Sequence, residues 1–234
     1  MMVTDILEAT GGGVVSVIGA GGKTTLMFKM ATELASQGKS VLVSTTTKIF
    51  VPRANQYGTL CIGAGMLDAV TRPSAGVCVA GGGVNHRGKL TPPNAGELQR
   101  AAARFDVTLL EADGARERRL KAWADHEPSI PPYTTVTVVV FNLGLTGRLP
   151  HEDDIHRLPL FLRLCQLAPD EPITHRALVT LLTAPNGALK NARGKRVLYI
   201  NHLRDNADRH AASDFAEKFA AELSCFDHIV TEQK

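Results

Sequence analysis

The stretch that most constrains this chain is the passage from a β-branched apolar run at 14–18 into Gly19-Ala20-Gly21-Gly22-Lys23-Thr24-Thr25. Val14, Val15, Val17 and Ile18 favour an extended conformation, while Leu26, Met27, Met30, Ala31 and Leu34 recur at helical spacing up to Gly38. A strand that turns on glycines into a helix is the first half of a βαβ unit. Glycines let successive backbone N–H groups curl around an anion, and the helix start adds partial positive charge. Gly19, Ala20, Gly21 and Gly22 would therefore line a polyphosphate, with Lys23 on the β and γ phosphates. Thr24 would offer its hydroxyl to Mg2+, and Thr25 is the last residue of the motif.

The spacing is shorter than the common G-x-x-x-x-G-K-[ST] pattern, since Val17 stands where the first glycine would be. The loop resembles instead the G-x-x-G-K-T-T loop of the Mur-ligase ATP site. Further strands are expected at 41–44, 77–80, 107–110, 136–141, 197–200 and 228–230. Most are continuous apolar runs, as parallel strands covered on both faces require. One helix should follow Thr91-Pro92-Pro93 and run to about Arg104. Another carries Ala211, Ala212, Phe215, Ala216, Phe219, Ala220 and Leu223 on one stripe. The expected fold is α/β, a mostly parallel sheet flanked by helices of the P-loop NTPase-like kind, in a single domain over 1–234 with a small helical lobe around 151–184. Between 114 and 150 the pattern loosens around Pro128, Pro131 and Pro132, which suggests a long ordered loop. Gly11-Gly12-Gly13 would free the N-terminal segment from the first strand, and Gly81-Gly82-Gly83 marks either a turn or a close backbone approach to ligand.

The run 107–110 leads into Glu111-Ala112-Asp113-Gly114. Residues two apart on an extended chain point the same way, so Glu111 and Asp113 can face one site at the carboxyl end of the strand, where ligands of α/β sheets collect. In a Walker B reading one carboxylate holds Mg2+, directly or through water, and the other orients a nucleophile. Thr24 and Asp113 are the candidate metal ligands; Glu111, Asp113 and Lys48 are the candidate catalytic groups. Asp-Gly is also an ordinary turn signal. The second strand ends in Ser44-Thr45-Thr46-Thr47-Lys48. If the first two strands are close in the sheet, Thr46 and Lys48 would stand beside the phosphate loop, although a threonine run is also good strand sequence.

Composition narrows the class of partner. The formal charge of +3, 26 basic against 23 acidic side chains, leaves little for nucleic acid to bind. No apolar run approaches the ~18 residues of a membrane span. Met1-Met2-Val3-Thr4-Asp5 lacks a basic segment followed by an apolar one, so a cytoplasmic location is expected. Cys61, Cys78, Cys165 and Cys225 form no Cys-x-x-Cys pair and read as reduced thiols.

Taken together, Val17-Ile18-Gly19-Ala20-Gly21-Gly22-Lys23-Thr24-Thr25, Ser44-Thr45-Thr46-Thr47-Lys48, Leu110-Glu111-Ala112-Asp113-Gly114-Ala115, Lys121, His126-Glu127-Pro128 and His156-Arg157 resemble the YqeC family. The resemblance runs from about Gly12 to Asp205. It implies a nucleotide-binding accessory protein for maturation of selenium-dependent molybdenum hydroxylases, whose partner would be a hydroxylase client or its cofactor. On matching positions it adds Lys121 and Arg157 to the nucleotide-binding candidates; surface ion pairing is their other reading. Asn201-His202-Leu203-Arg204-Asp205 departs from the Asn-Lys-x-Asp of a guanine reader, so ATP is preferred over GTP. Three functions fit these residues: an Mg2+-dependent NTPase, a Mur-like ligase or kinase acting on a small acid, and a nucleotide-dependent chaperone with slow turnover.

Overall fold

The computed structural model describes residue 7 and residues 13–71 and 74–232. Gly11 and Gly12, and with them most of the expected N-terminal hinge, lie outside these residues, as do residues 1–5. The chain divides into two compact units, the first made of Met1–Val17, Lys23–Asp113 and Ser129–Val136, the second of Ile18–Gly22, Gly114–Pro128 and Thr137–Lys234.

The first unit is built on β1 (Gly13–Gly19), β2 (Ser40–Thr45), β4 (Thr59–Ile62), β5 (Gly76–Gly81) and β8 (Val107–Glu111), in the order β1-β8-β2-β5-β4. All four pairings are parallel. Every residue of β2 and β8 is buried, which explains why both read as unbroken apolar runs. The helix α1 (Lys23–Ser36) lays Leu26, Met27, Phe28, Met30, Ala31 and Leu34 against β2, β5 and β8. Each large apolar side chain removed from water there contributes roughly 1.5–3 kcal/mol. The helix stops where Gly38 takes φ +82°, with Lys39 N–H returning to the Leu34 carbonyl at 3.1 Å. The helix α2 (Ala95–Ala102) begins on Asn94, whose side chain accepts from Gly96 N–H and Glu97 N–H, so the two prolines precede its cap rather than occupying its first turn.

Three short strands, β3 (Ile49–Phe50), β6 (Gly83–Val84) and β7 (Lys89–Thr91), form an antiparallel sheet in the order β3-β7-β6. Runs of two or three residues carry no periodicity, so they were invisible to pattern. Cys61 on β4 and Cys78 on β5 face each other with sulfurs 3.9 Å apart, a proximity that sequence distance hid. Burial, with Cys61 adding to it, pushes the Cys78 thiol up to about 12.

The second unit carries β10 (Val136–Asn142), β12 (Lys195–Asn201) and β13 (His228–Thr231) in the order β13-β12-β10, with β12 and β13 parallel. Its helices are α3 (Leu158–Cys165), α4 (His175–Thr183) and α5 (Asn206–Lys218), the first two lying inside the span read as helical. Thr174 caps α4 and Asp205 caps α5. The helix α5 starts five residues before the apolar stripe predicted for it and ends at Lys218; Leu223 reaches the core from a short 3-10 turn, Glu222–Cys225. Within the loosened stretch, β9 (Leu120–Lys121) pairs in parallel with β11 (Ile155–His156). The architecture is the mostly parallel α/β fold expected, consistent with the P-loop NTPase-like class. Among the described residues no helix is long and apolar enough to cross a membrane.

Candidate functional site

In the first unit the strand order decides what meets what. Because β8 lies between β1 and β2, Glu111 is in register with Val17 on one side and Thr45 on the other. The threonine run therefore borders the carboxylate strand rather than β1. Thr45 Oγ1 donates to the Glu111 carbonyl at 2.8 Å, and Thr46 N–H donates to the same oxygen at 3.1 Å. Thr46 Oγ1 donates to the Ser129 carbonyl at 2.8 Å, and Lys48 is exposed.

Lys23 opens α1 and is buried. Its ammonium lies 3.2 Å from Asp113 Oδ1 and 3.7 Å from Glu111 Oε1, and all three side chains are at most 9% exposed. Thr24 Oγ1 donates to Glu111 Oε2 at 2.6 Å, while Thr25 is exposed one residue on. Two carboxylates, one ammonium and one hydroxyl thus converge at the carboxyl end of β8. Burial pushes the Glu111 carboxyl up; the Lys23 charge and the Thr24 hydroxyl pull it back, the Asp113 charge adds to the rise, and the net shift is upward. Two carboxylates here share the Lys23 ammonium, and Lys89 adds a smaller favourable charge at Glu111. Two carboxylates beside a hydroxyl are hard oxygen donors of the kind Mg2+ takes, and an added cation would favour the charged form of Glu111 that burial disfavours. Among the described residues no group of three or more His, Cys, Asp or Glu side chains is placed to hold a metal, so such an ion would need phosphate oxygens or water to complete its shell.

The glycine loop belongs to the second unit up to Gly22. Gly19, Gly21 and Gly22 have φ of +97°, +71° and +126°, conformations that favour glycine. A Cβ at Gly19 would overlap the Val140 carbonyl oxygen, and one at Gly21 would come within 3.0 Å of the Arg119 carbonyl. Ala20 N–H donates to the Val140 carbonyl at 3.1 Å. The Gly21 carbonyl accepts from Asn201 Nδ2 and lies 2.8 Å from His202 Nε2, which fixes the peptide plane between Gly21 and Gly22. In a trans peptide the C=O and the next N–H point oppositely, so the Gly22 N–H is aimed away from these two side chains. Asn201 therefore serves as a loop anchor. His202, held at φ +59°, is a contributor that sequence reasoning missed; its only signal was a polar pair ending an apolar strand.

Lys121 and Arg157 meet in a different cluster of the second unit. Lys121 is 1% exposed, donates to the Gly114 carbonyl at 2.6 Å, and lies 3.4 Å from Glu127 Oε2. Arg157 Nε donates to the same carboxylate oxygen at 3.0 Å from a residue in the left-handed region, φ +64°. Burial would raise Glu127, but the Arg157 hydrogen bond and the charges of Lys121 and Arg157 outweigh it and hold the carboxyl at about 2. The neighbouring His156 is lowered to about 4, first by burial and then by the same two cations.

Residues 15–159 match the family described as YqeC protein. The chain is also similar to "Uncharacterized protein YqeC" of Escherichia coli (strain K12), 34% identical over 210 residues that cover 87% of this chain and 81% of the relative.

Proposed function

The chain belongs to the YqeC family, and we propose that it is an Mg2+-dependent nucleoside triphosphate-binding protein, with ATP the preferred nucleotide, that turns its ligand over as an accessory factor in maturation of selenium- or molybdenum-containing hydroxylases. The observation that carries the nucleotide reading is the buried set of Lys23, Thr24, Glu111 and Asp113, with an ammonium and a hydroxyl at a helix start against two carboxylates at a strand end. The glycine loop that runs directly into Lys23 supports it, because its conformation excludes side chains and one of its peptide planes is held by Asn201 and His202.

Thr24 and Asp113 would supply the protein's oxygen donors to Mg2+, which would contribute charge neutralisation at the β and γ phosphates. Lys23 would turn from its carboxylates to the phosphate oxygens, exchanging one anionic partner for another. The carboxylate not engaged with the ion would orient the nucleophile, and the raised proton affinity of Glu111 suits a group that accepts a proton. Lys121 and Arg157 enter this proposal as supports around Glu127.

Thermal-shift titration with ATP, GTP, CTP and their diphosphates, with and without Mg2+, tests the reading. A triphosphate at 100 times its dissociation constant should stabilise the protein by about 2.7 kcal/mol. The effect should require Mg2+ and be largest for ATP. Stabilisation by no nucleotide beyond that from Mg2+ alone would remove the proposal. The accessory role predicts that hydrolysis rises when a molybdenum hydroxylase client is added, and an unchanged rate would reject it.

A further inference from the structure

The first unit also holds a cleft of about 700 Å3 along one side of α1, within the range of small-molecule sites. Thr24, Phe28 and Thr32 line it at spacings of four, with Thr25 three residues before Phe28, which places them along one face of the helix. Phe50 and Arg53 stand in the opposite wall. Thr24, whose hydroxyl bonds Glu111, is thus also one of the residues that line the cleft.

Two features of the wall require an explanation. Phe50 is 51% exposed and Val51 36% exposed, large apolar side chains turned to solvent beside polar neighbours. On one side the Phe50 ring has a cation: β3 pairs with β7 so that Phe50 stands opposite Lys89, whose ammonium lies 4.1 Å from the ring centre. The second feature is charge. Lys29 and Arg53 line the cleft and Lys89 caps the ring beside it, three cations near one lining carboxylate, Glu33. An exposed aromatic ring and an excess of positive charge, in a cleft that Thr24 also lines, match a ligand with a flat apolar body and a negative group.

We propose that the cleft between α1 and residues 50–56 binds a small organic anion with a flat aromatic or heteroaromatic body, held beside the nucleotide. Its place beside a nucleotide rests on the reading above; its existence as a binding site does not. Calorimetric titration with 2-naphthoate tests it on the full chain. Saturable one-site binding is expected, weakened about tenfold or more by Phe50→Ala and by Arg53→Glu, both at exposed positions, and kept in Lys23→Ala. Because Lys23→Ala should weaken nucleotide binding only, naphthoate binding that persists in it, and in a wild type that binds no nucleotide, would leave the cleft standing and reject only the nucleotide. Binding of 2-naphthoate unaffected by Phe50→Ala and Arg53→Glu would overturn the proposal. So would cyclohexanecarboxylate or 2-naphthylmethanol binding as tightly, since these test flatness and charge separately. Absence of saturation, together with dimerisation that Phe50→Ala removes, would assign the surface to a second copy of the chain and overturn it as well.

Discussion

Two buried lysine–carboxylate clusters sit in this molecule, and they are mirror images in charge. Around Lys23, one ammonium serves two carboxylates, and Glu111 is pushed up. Around Glu127, one carboxylate serves two cations and is held down at about 2. The lysine and carboxylate side chains of both clusters are at most 10% exposed, with Arg157 at 29%, so burial alone does not mark a binding site. The sign of the imbalance and the neighbouring groups do. In the first cluster two carboxylates share one ammonium and a hydroxyl is at hand; in the second, Arg157, Lys121 and the Ala124 N–H all converge on Glu127 Oε2, and the lysine also donates to a backbone carbonyl. A site for a cation and a polyphosphate should carry an excess of carboxylate, whereas a cluster with an excess of cations should not draw a metal.

The contrast is broken most directly at Lys23. Lys23→Ala should lower turnover on the order of 10^3-fold, as expected when a charged phosphate contact is lost, and Mg2+ alone should stabilise this variant more than wild type because two carboxylates are left facing each other. Steady-state hydrolysis and melting curves with Mg2+ measure both; an equal response of wild type and variant would erase the distinction. Next in size, Glu127→Gln should cost about 3 kcal/mol by leaving Lys121 buried without its anion, seen in urea unfolding, and Mg2+ should not restore it. Rescue by the metal would make the second cluster a cation site too.

Acidity sharpens the comparison further. Glu127 titrates near 2 when folded and near 4.5 otherwise, so its stabilisation is present above pH 4.5 and is lost as pH falls toward 2. Glu111 is shifted the other way: its favourable contribution is present below 4.5 and is lost as pH rises through its folded value. Glu127→Gln should therefore flatten the acid limb of unfolding free energy against pH, while Glu111→Gln should leave that limb alone and raise stability at neutral pH as it removes activity. Identical pH profiles for the two variants would show that the opposed shifts are not there. The smallest effect is reserved for Asn201→Ala, which should weaken nucleotide binding by about tenfold, near 1.4 kcal/mol, without changing the unfolding midpoint beyond about 2–4 °C.

Much of the first cluster could be read from the chain because its signals are local. A β-branched run, three glycines, a lysine and a helical stripe occupy consecutive residues, and Glu111 and Asp113 follow their strand directly. What lay beyond reach was the ordering of strands. Nothing in 41–47 says that β8 will separate β1 from β2, because strand order is fixed by crossover packing across many residues, so the partner of Thr45 and Thr46 stayed unknown. The same holds for Cys61 and Cys78, joined only by the neighbouring of β4 and β5. Lys121 and Arg157 came from family likeness, which marks positions without telling a ligand contact from a brace; their shared hold on Glu127 needed the pairing of two-residue strands, too brief to leave a pattern. The exposed Phe50 escaped notice for the same reason.

The double anchorage of the Gly21 carbonyl carries a kinetic implication. A peptide gripped by both an amide and an imidazole cannot rotate without breaking two contacts at once, so the loop should meet an incoming polyphosphate already in one arrangement. Association followed in a stopped-flow instrument would then proceed as a single relaxation whose rate climbs in proportion to nucleotide concentration, with no plateau imposed by a prior rearrangement of the loop.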